Sequence, residues 1–155
     1  MNIKQLILDM TIYKPSTKNL HMAANMLKKG NLVAFPTETV YGLGGDATSE
    51  DAILKIFKIK KRPKFNPLII HCDTKAKAMK IGKFDKLSEK LINYFWPGPL
   101  TIVLPILKNS EISSLATSGL NSVALRIPEN KLARNLIRLF GKPIAAPSAN
   151  PSGKL

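Results

Sequence analysis

Residues 55–64 of the chain read KIFKIKKRPK; six of the ten are Lys or Arg and none is acidic. Lys60 and Arg62 stand two apart, directly before Pro63, and the short apolar run that follows ends on His71. Lysine is a compact point charge and arginine a planar fork of donors. Together they suit the oxygens of a polyphosphate. The same charges at a helix end would also offset the helix dipole, so a clamp and a cap are both open readings. Pro63 disfavours helical geometry at Arg62, and a frayed end lets Lys60 and Arg62 turn to one side. His71 reads either as a satisfied structural histidine or as the polar group of a site. His21, the other histidine, falls on the polar side of a helical segment and reads as solvated. Residues 146–153, APSANPSG, hold two serines and one asparagine; they are a polar turn or a set of short donors facing an anion.

The elements that must position these groups are constrained by bulk composition. With 155 residues the chain reads as one domain, 45% hydrophobic and 22% charged, large enough to bury a core without covalent staples. The formal net charge is +14, which favours polyanionic partners such as nucleotides, RNA or a membrane surface. A lysine-rich solvated surface would show the same excess, since 20 of the 24 basic residues are Lys. The four arginines, Arg62, Arg126, Arg134 and Arg138, carry more information. Cys72 is the single cysteine, which excludes a disulfide framework or a cysteine metal site and points to the reducing cytoplasm. No apolar run approaches a membrane span, and the first ten residues do not read as a signal peptide.

Helical spacing with Ser16 as N-cap and Gly30 as stop predicts a helix over Thr17–Lys28. Ser49, with Glu50 and Asp51 in the first turn, starts a second helix. Further helices are expected near 74–81, 85–95 and 130–140. Strands are expected in NLVAFP, PLIIHC, residues 100–104, SVALRIP and KPIAAPS. Strands alternating with helices indicate an α/β domain around one sheet. A polar or Gly/Pro loop follows each strand, so the loops could converge on one crevice at the strand ends. TETVYGLGGDA reads as a glycine-rich loop, either a tight turn or a close backbone approach. Its match to G-x-G-x-x-A is rejected as a dinucleotide fingerprint. It begins five residues past the strand, and the position of the acidic ribose ligand is taken by KIKKRPKF. There is no Walker A motif, no clustered metal-ligand set and no Ser-His-Asp order.

Five segments in order, FPTETVYGLGGDA, KKRPKFNPLIIH, FWPGPLTIVLP, SVALRIP and PIAAPSANPSG, resemble the YrdC/Sua5 family of threonylcarbamoyl-AMP synthases. The resemblance runs from about residue 15 to the last residue. It implies a single YrdC-like domain over 1–155, with a twisted, mostly open mixed sheet, flanking helices and a concave basic face. It also implies a reaction, in which L-threonine, bicarbonate or CO2 and ATP give threonylcarbamoyl-AMP and pyrophosphate, with Mg2+ carried on ATP. A tRNA-modification transferase complex would use the product at adenosine 37 of tRNA. By motif, Lys60, Arg62, Asn66, Ser122, Ser148 and Asn150 would line the ATP site, with Lys60 and Arg62 catalytic. Thr37, His71, Arg126 and the backbone at Ala146 would hold threonine, with Tyr41 nearby. Ser122 stands where the family carries Thr, and the sequence stops soon after Ser148-Ala149-Asn150, short of the family's C-terminal end. The expected state is a cytoplasmic monomer, with weak RNA binding possible and no membrane contact. Rival readings are a non-enzymatic RNA-binding module, an inactive shortened paralogue, and the related domain of hydrogenase-maturation carbamoyltransferases.

Overall fold

A computed structural model of the chain describes residues 11–63 and 65–150. Lys64 of the basic cluster, Pro151, Ser152 and Gly153 of the last motif, and the first ten residues lie outside the described residues.

The described residues form five helices and six strands, with helices and strands interspersed along the chain. They are α1 (Thr17–Lys28), β1 (Val33–Pro36), β2 (Tyr41–Asp46), α2 (Glu50–Lys60), β3 (Ile69–His71), α3 (Lys75–Met79), α4 (Lys86–Phe95), β4 (Ile102–Pro105), β5 (Ser122–Arg126), α5 (Lys131–Phe140) and β6 (Ile144–Ala145). The expected caps set the helix starts. Ser16 accepts from the Asn19 N–H at 3.1 Å and Ser49 from the Ala52 N–H at 3.3 Å, each satisfying an otherwise orphaned donor. Asp85 and Ser88 form a reciprocal capping box on α4. Gly141, at φ 90°, ends α5 in the left-handed region.

The strands form one mixed sheet in the order β1-β2-β6-β3-β5-β4. Only β3 and β5 run parallel; the other neighbours are antiparallel. One face packs Ile53, Ile56 and Phe57 of α2, Ala78 of α3 and Ile92 of α4 against Leu68, Ile70, Val123 and Leu125. On the other face α1 and α5 bring Ala24, Leu27, Leu136, Ile137 and Phe140 onto Phe35 and Ile144. That second layer covers the β1, β2 and β6 side. Over β3, β5 and β4 the same face carries the half-buried Ile69, Ser122 and Ala124 and the exposed Val103. Half of one sheet face is therefore left open as a floor.

Two expectations are corrected here. YGLGGD is not a loop but β2, a strand paired on both sides. Its glycines permit close packing: a Cβ on Gly44 would lie 2.6 Å from Phe35 Cε1 and 2.7 Å from Ile144 Cγ2. Nor do the strand-end loops gather at one crevice. Because β6 is antiparallel to β3, the Pro147-Ser148 turn lies beyond the start of β3, and the ends of β3 and β5 lie at the opposite edge.

Candidate functional site

The side-chain period of a strand is two. Ile70 and Leu125 point into the core, so Ile69 and His71 of β3, and Ser122, Ala124 and Arg126 of β5, share the other face. His71 and Arg126 are register partners on adjacent parallel strands. Ser122 lies four residues before Arg126, about 13 Å away along the strand. The expected residues thus divide between two edges of one open floor.

At the lower edge α2 terminates in an unusual way. Lys61 takes φ 50°, left-handed for a non-glycine residue, and the Arg62 N–H donates to the Phe57 carbonyl at 3.0 Å. The turn separates the two cations that were expected to face one way together. Lys60 is buried, and its Nζ donates to the carbonyl oxygens of Ser148 and Asn150. Burial, and then the neighbouring Arg62 charge, hold its ammonium below the ordinary lysine pKa. Arg62 instead braces its own loop, with Nε on the Asn66 carbonyl at 3.3 Å and Nη2 on the Pro67 carbonyl at 3.2 Å. Ser148 bridges to Gly42, and the Ala149 N–H donates to the Tyr41 carbonyl at 2.7 Å, so β2 carries the last motif. Lys60, Arg62, Asn66, Ser148 and Asn150 are brought together around this edge. Ser122 begins β5 on the same side.

At the upper edge His71 is buried, its ring edge-on to Phe35 at 5.9 Å and its Nδ1 3.2 Å from the Ile69 carbonyl. Burial first, then the Arg126 charge, lower its pKa to about 4, so the imidazole is neutral. It can offer hydrogen bonds here but no charge. Toward the lower edge Ala146, opposite Ile69 at the start of β3, is also buried, and its N–H donates to the Ile69 carbonyl at 3.0 Å. Cys72 is no nucleophile, because burial and then Asp73 push its thiol up to about 12.

Thr37 begins the turn between β1 and β2. Its hydroxyl donates to the Val40 carbonyl at 2.6 Å and accepts from the Thr39 and Val40 N–H groups at 3.2 Å. The group expected to meet threonine is thus spent on building the turn. That turn leaves the lower edge, yet Glu38 reaches Arg126 at the upper one, so it arches over the sheet face. Arg126 Nη2 donates to Glu38 Oε1 at 2.8 Å and to Thr39 Oγ1 at 3.2 Å, while the Glu129 N–H donates to Glu38 Oε2 at 3.0 Å. Burial works to raise the Glu38 carboxyl, but the Arg126 hydrogen bond, backbone N–H groups and the Arg126 charge outweigh it and leave the pKa lowered. Tyr41 is exposed and lines a cleft of about 680 Å³ with Pro36, Ala149 and residues of α1.

The sequence reading did not single out Glu38. A signal was present: it is the one acidic residue between Asp9 and Asp46, set among threonines directly after a buried strand. No cluster of three His, Cys, Asp or Glu side chains suited to a metal occurs among the described residues. No helix among them is long and apolar enough to cross a membrane.

Comparisons with known proteins follow the same residues. The Sua5/YciO/YrdC family model, described as telomere recombination, matches residues 25–155. A threonylcarbamoyl-AMP synthase of Pyrococcus abyssi is 48% identical over 136 residues, covering 87% of this chain and 39% of that protein. A threonylcarbamoyl-AMP synthase of Aliivibrio fischeri is 37% identical over 139 residues, 88% of this chain and 74% of its own length. The crystal structure of P. abyssi Sua5 complexed with L-threonine superposes with a TM-score of 0.87 at 45% identity, over 92% of this chain and 42% of that one. The chain thus spans about two fifths of the Pyrococcus protein. With the family model matched over most of its length and the open mixed sheet shared with a solved relative, the chain belongs to the Sua5/YciO/YrdC family.

Proposed function

We propose that the chain is a threonylcarbamoyl-AMP synthase, making threonylcarbamoyl-adenylate and pyrophosphate from L-threonine, CO2 or bicarbonate, and ATP. The observation that carries this reading is the division of the open floor: Arg126 at one edge, Lys60 and Arg62 at the other, with small side chains between. An amino acid held by its carboxylate at one edge, with a nucleotide's phosphates at the other, fits that division. The names of the relatives, and a threonine complex of one of them, support the choice of amino acid.

In this reading Arg126 orients the threonine carboxylate, and neutral His71 and the Ala146 backbone bound the pocket beneath the Thr37 turn. The free amine attacks CO2, its proton passes to solvent, and the resulting carbamate lies over the Ile69 and Ala124 floor. A carbamate oxygen attacks the α-phosphorus of ATP, and the bond to pyrophosphate breaks. Lys60 and Arg62 stabilise the charge that develops on the phosphate oxygens, and Asn66, Ser122, Ser148 and Asn150 orient the nucleotide. The protein supplies position and electrostatics rather than a covalent intermediate. The described residues build no carboxylate cage, so Mg2+ is assigned to the triphosphate with which it arrives. The adenylate is a high-energy acyl donor, and a tRNA-modifying transferase is the class of enzyme that consumes it.

The test is pyrophosphate release from ATP and bicarbonate, with and without L-threonine and with L-serine as control. Release that depends on threonine and is weaker with serine is the expected result. Absence of threonine dependence in folded protein refutes the assignment.

A further inference from the structure

Arg126 is almost wholly buried, with a side-chain exposure of 10%, and it faces Glu38 at 15%. Only part of its donor set is used. Nη2 meets Glu38 and Thr39, while Nε is buried with no partner among the described residues. A buried donor left unsatisfied is costly, and an incoming oxygen would remove that cost. Glu38 itself is held at both oxygens, by Arg126 and by the Glu129 N–H. It therefore ties three segments together: the Thr37–Val40 turn, the end of β5, and the chain leading into α5.

Two roles are conceivable for such a contact. Glu38 could occupy the arginine until a substrate carboxylate displaces it, or it could stay and present the arginine. The geometry favours the second. Displacement would break the Arg126 ion pair and release the Glu129 N–H at once, leaving a half-buried carboxylate without either partner. Arg126 has a donor to spare, so a ligand has no need to evict Glu38.

We propose that Glu38 is a positioning residue for the amino-acid end of the site, holding the Arg126 guanidinium by Nη2 and leaving Nε to receive the carboxylate of the substrate. This rests on the synthase reading above. It also explains how one arginine can serve an anion without carrying an uncompensated buried charge before substrate arrives: Glu38 neutralises the guanidinium, and directional hydrogen bonds do the recognising. Glu38 acts through Arg126 and takes no part in bond making.

Glu38→Gln keeps the shape but places an NH2 donor against either Arg126 or the Glu129 N–H. In pyrophosphate release, it should raise KM for L-threonine about tenfold or more, the loss expected for hydrogen bonds to a charged group. KM for ATP should be unchanged and kcat should fall by less than threefold, a split that general destabilisation would not give. In an Arg126→Lys background the same substitution should add little, because the two residues act as one unit. A second readout needs no substrate. The Arg126 Nε–H resonance, assigned by its loss in Arg126→Lys, should persist in the wild-type protein and exchange rapidly in Glu38→Gln. An unchanged threonine KM in an active Glu38→Gln enzyme overturns the proposal, as does equal exchange of the two resonances. A lowered KM overturns it in favour of a displaceable plug. Wild-type protein without threonine-dependent release defeats the synthase reading, and the resonance then still decides whether Glu38 holds Arg126.

Discussion

His71 should make the stability of this protein fall with acidity in a specific window. Its pKa lies at about 4 in the folded chain, lowered by burial and by Arg126, against the ordinary histidine value of 6.5. The unfolded chain therefore takes up a proton below pH 6.5 that the native chain refuses. The stabilising contribution is complete above pH 6.5 and is lost as pH falls toward 4. The separation of the two values corresponds to about 3 kcal/mol in full, and to about 2 kcal/mol at pH 5. The assay is urea unfolding followed by far-UV circular dichroism at pH 7.5 and pH 5, on wild type and on His71→Gln, which cannot titrate. Subtracting the variant removes the contribution of carboxylates common to both proteins. Wild type should lose about 2 kcal/mol more than His71→Gln between the two conditions. Equal losses would show that His71 is either solvated or protonated in the native state. The neutral imidazole described against Phe35 and Ile69 would then be wrong.

Other perturbations separate the edges of the site from the scaffold. Lys60→Ala should lower the rate of pyrophosphate release by on the order of 100-fold or more. Lys60→Arg should not rescue it, since a planar guanidinium cannot replace a point donor shared by the Ser148 and Asn150 carbonyls. Arg62→Ala should cause a rate loss of similar order, in folded protein verified by circular dichroism. Gly44→Ala should destabilise by about 1–3 kcal/mol in urea titration, because its methyl group would press on both Phe35 and Ile144. Leu125→Ala, at a fully buried position of the helix-covered face, should cost about 2–5 kcal/mol in the same assay.

Much of this architecture was legible because local chemistry announces it. Ser16 and Ser49 mark the starts of α1 and α2, and both helices fall where capping and apolar spacing put them. Tyr41–Asp46 was illegible as a strand for the opposite reason. Three glycines in six residues have low intrinsic preference for extended structure, and only close tertiary packing explains the tightest two, Phe35 and Ile144 against Gly44 and Leu32 against Gly45. The strand order carries no local signal at all, since nothing in IA at residues 144–145 says that it will lie between β2 and β3. The candidate site divides in the same way. Motif resemblance nominates its residues but says nothing of their partners. That Thr37 spends its hydroxyl on its own turn, and that Glu38 crosses the sheet to Arg126, are consequences of tertiary arrangement.

The place of β6 has a bearing on how the molecule comes into being. The β1–β2 hairpin and the β3–β5–β4 trio are joined within the sheet through β6, which follows all of them in sequence. During synthesis the two halves can each form early, but they remain separate, with the inner edges of β2 and β3 unpaired. Unpaired edges invite association with other chains. Insertion of two residues near position 145 closes both edges in one step. The same step brings Ser148 and Asn150 to the Lys60 ammonium, across 88 and 90 residues of chain. Contacts so distant in sequence make for slow closure. A nascent chain paused before β6 would thus be vulnerable to aggregation and unable to assemble the lower edge around Lys60, and both conditions would end together.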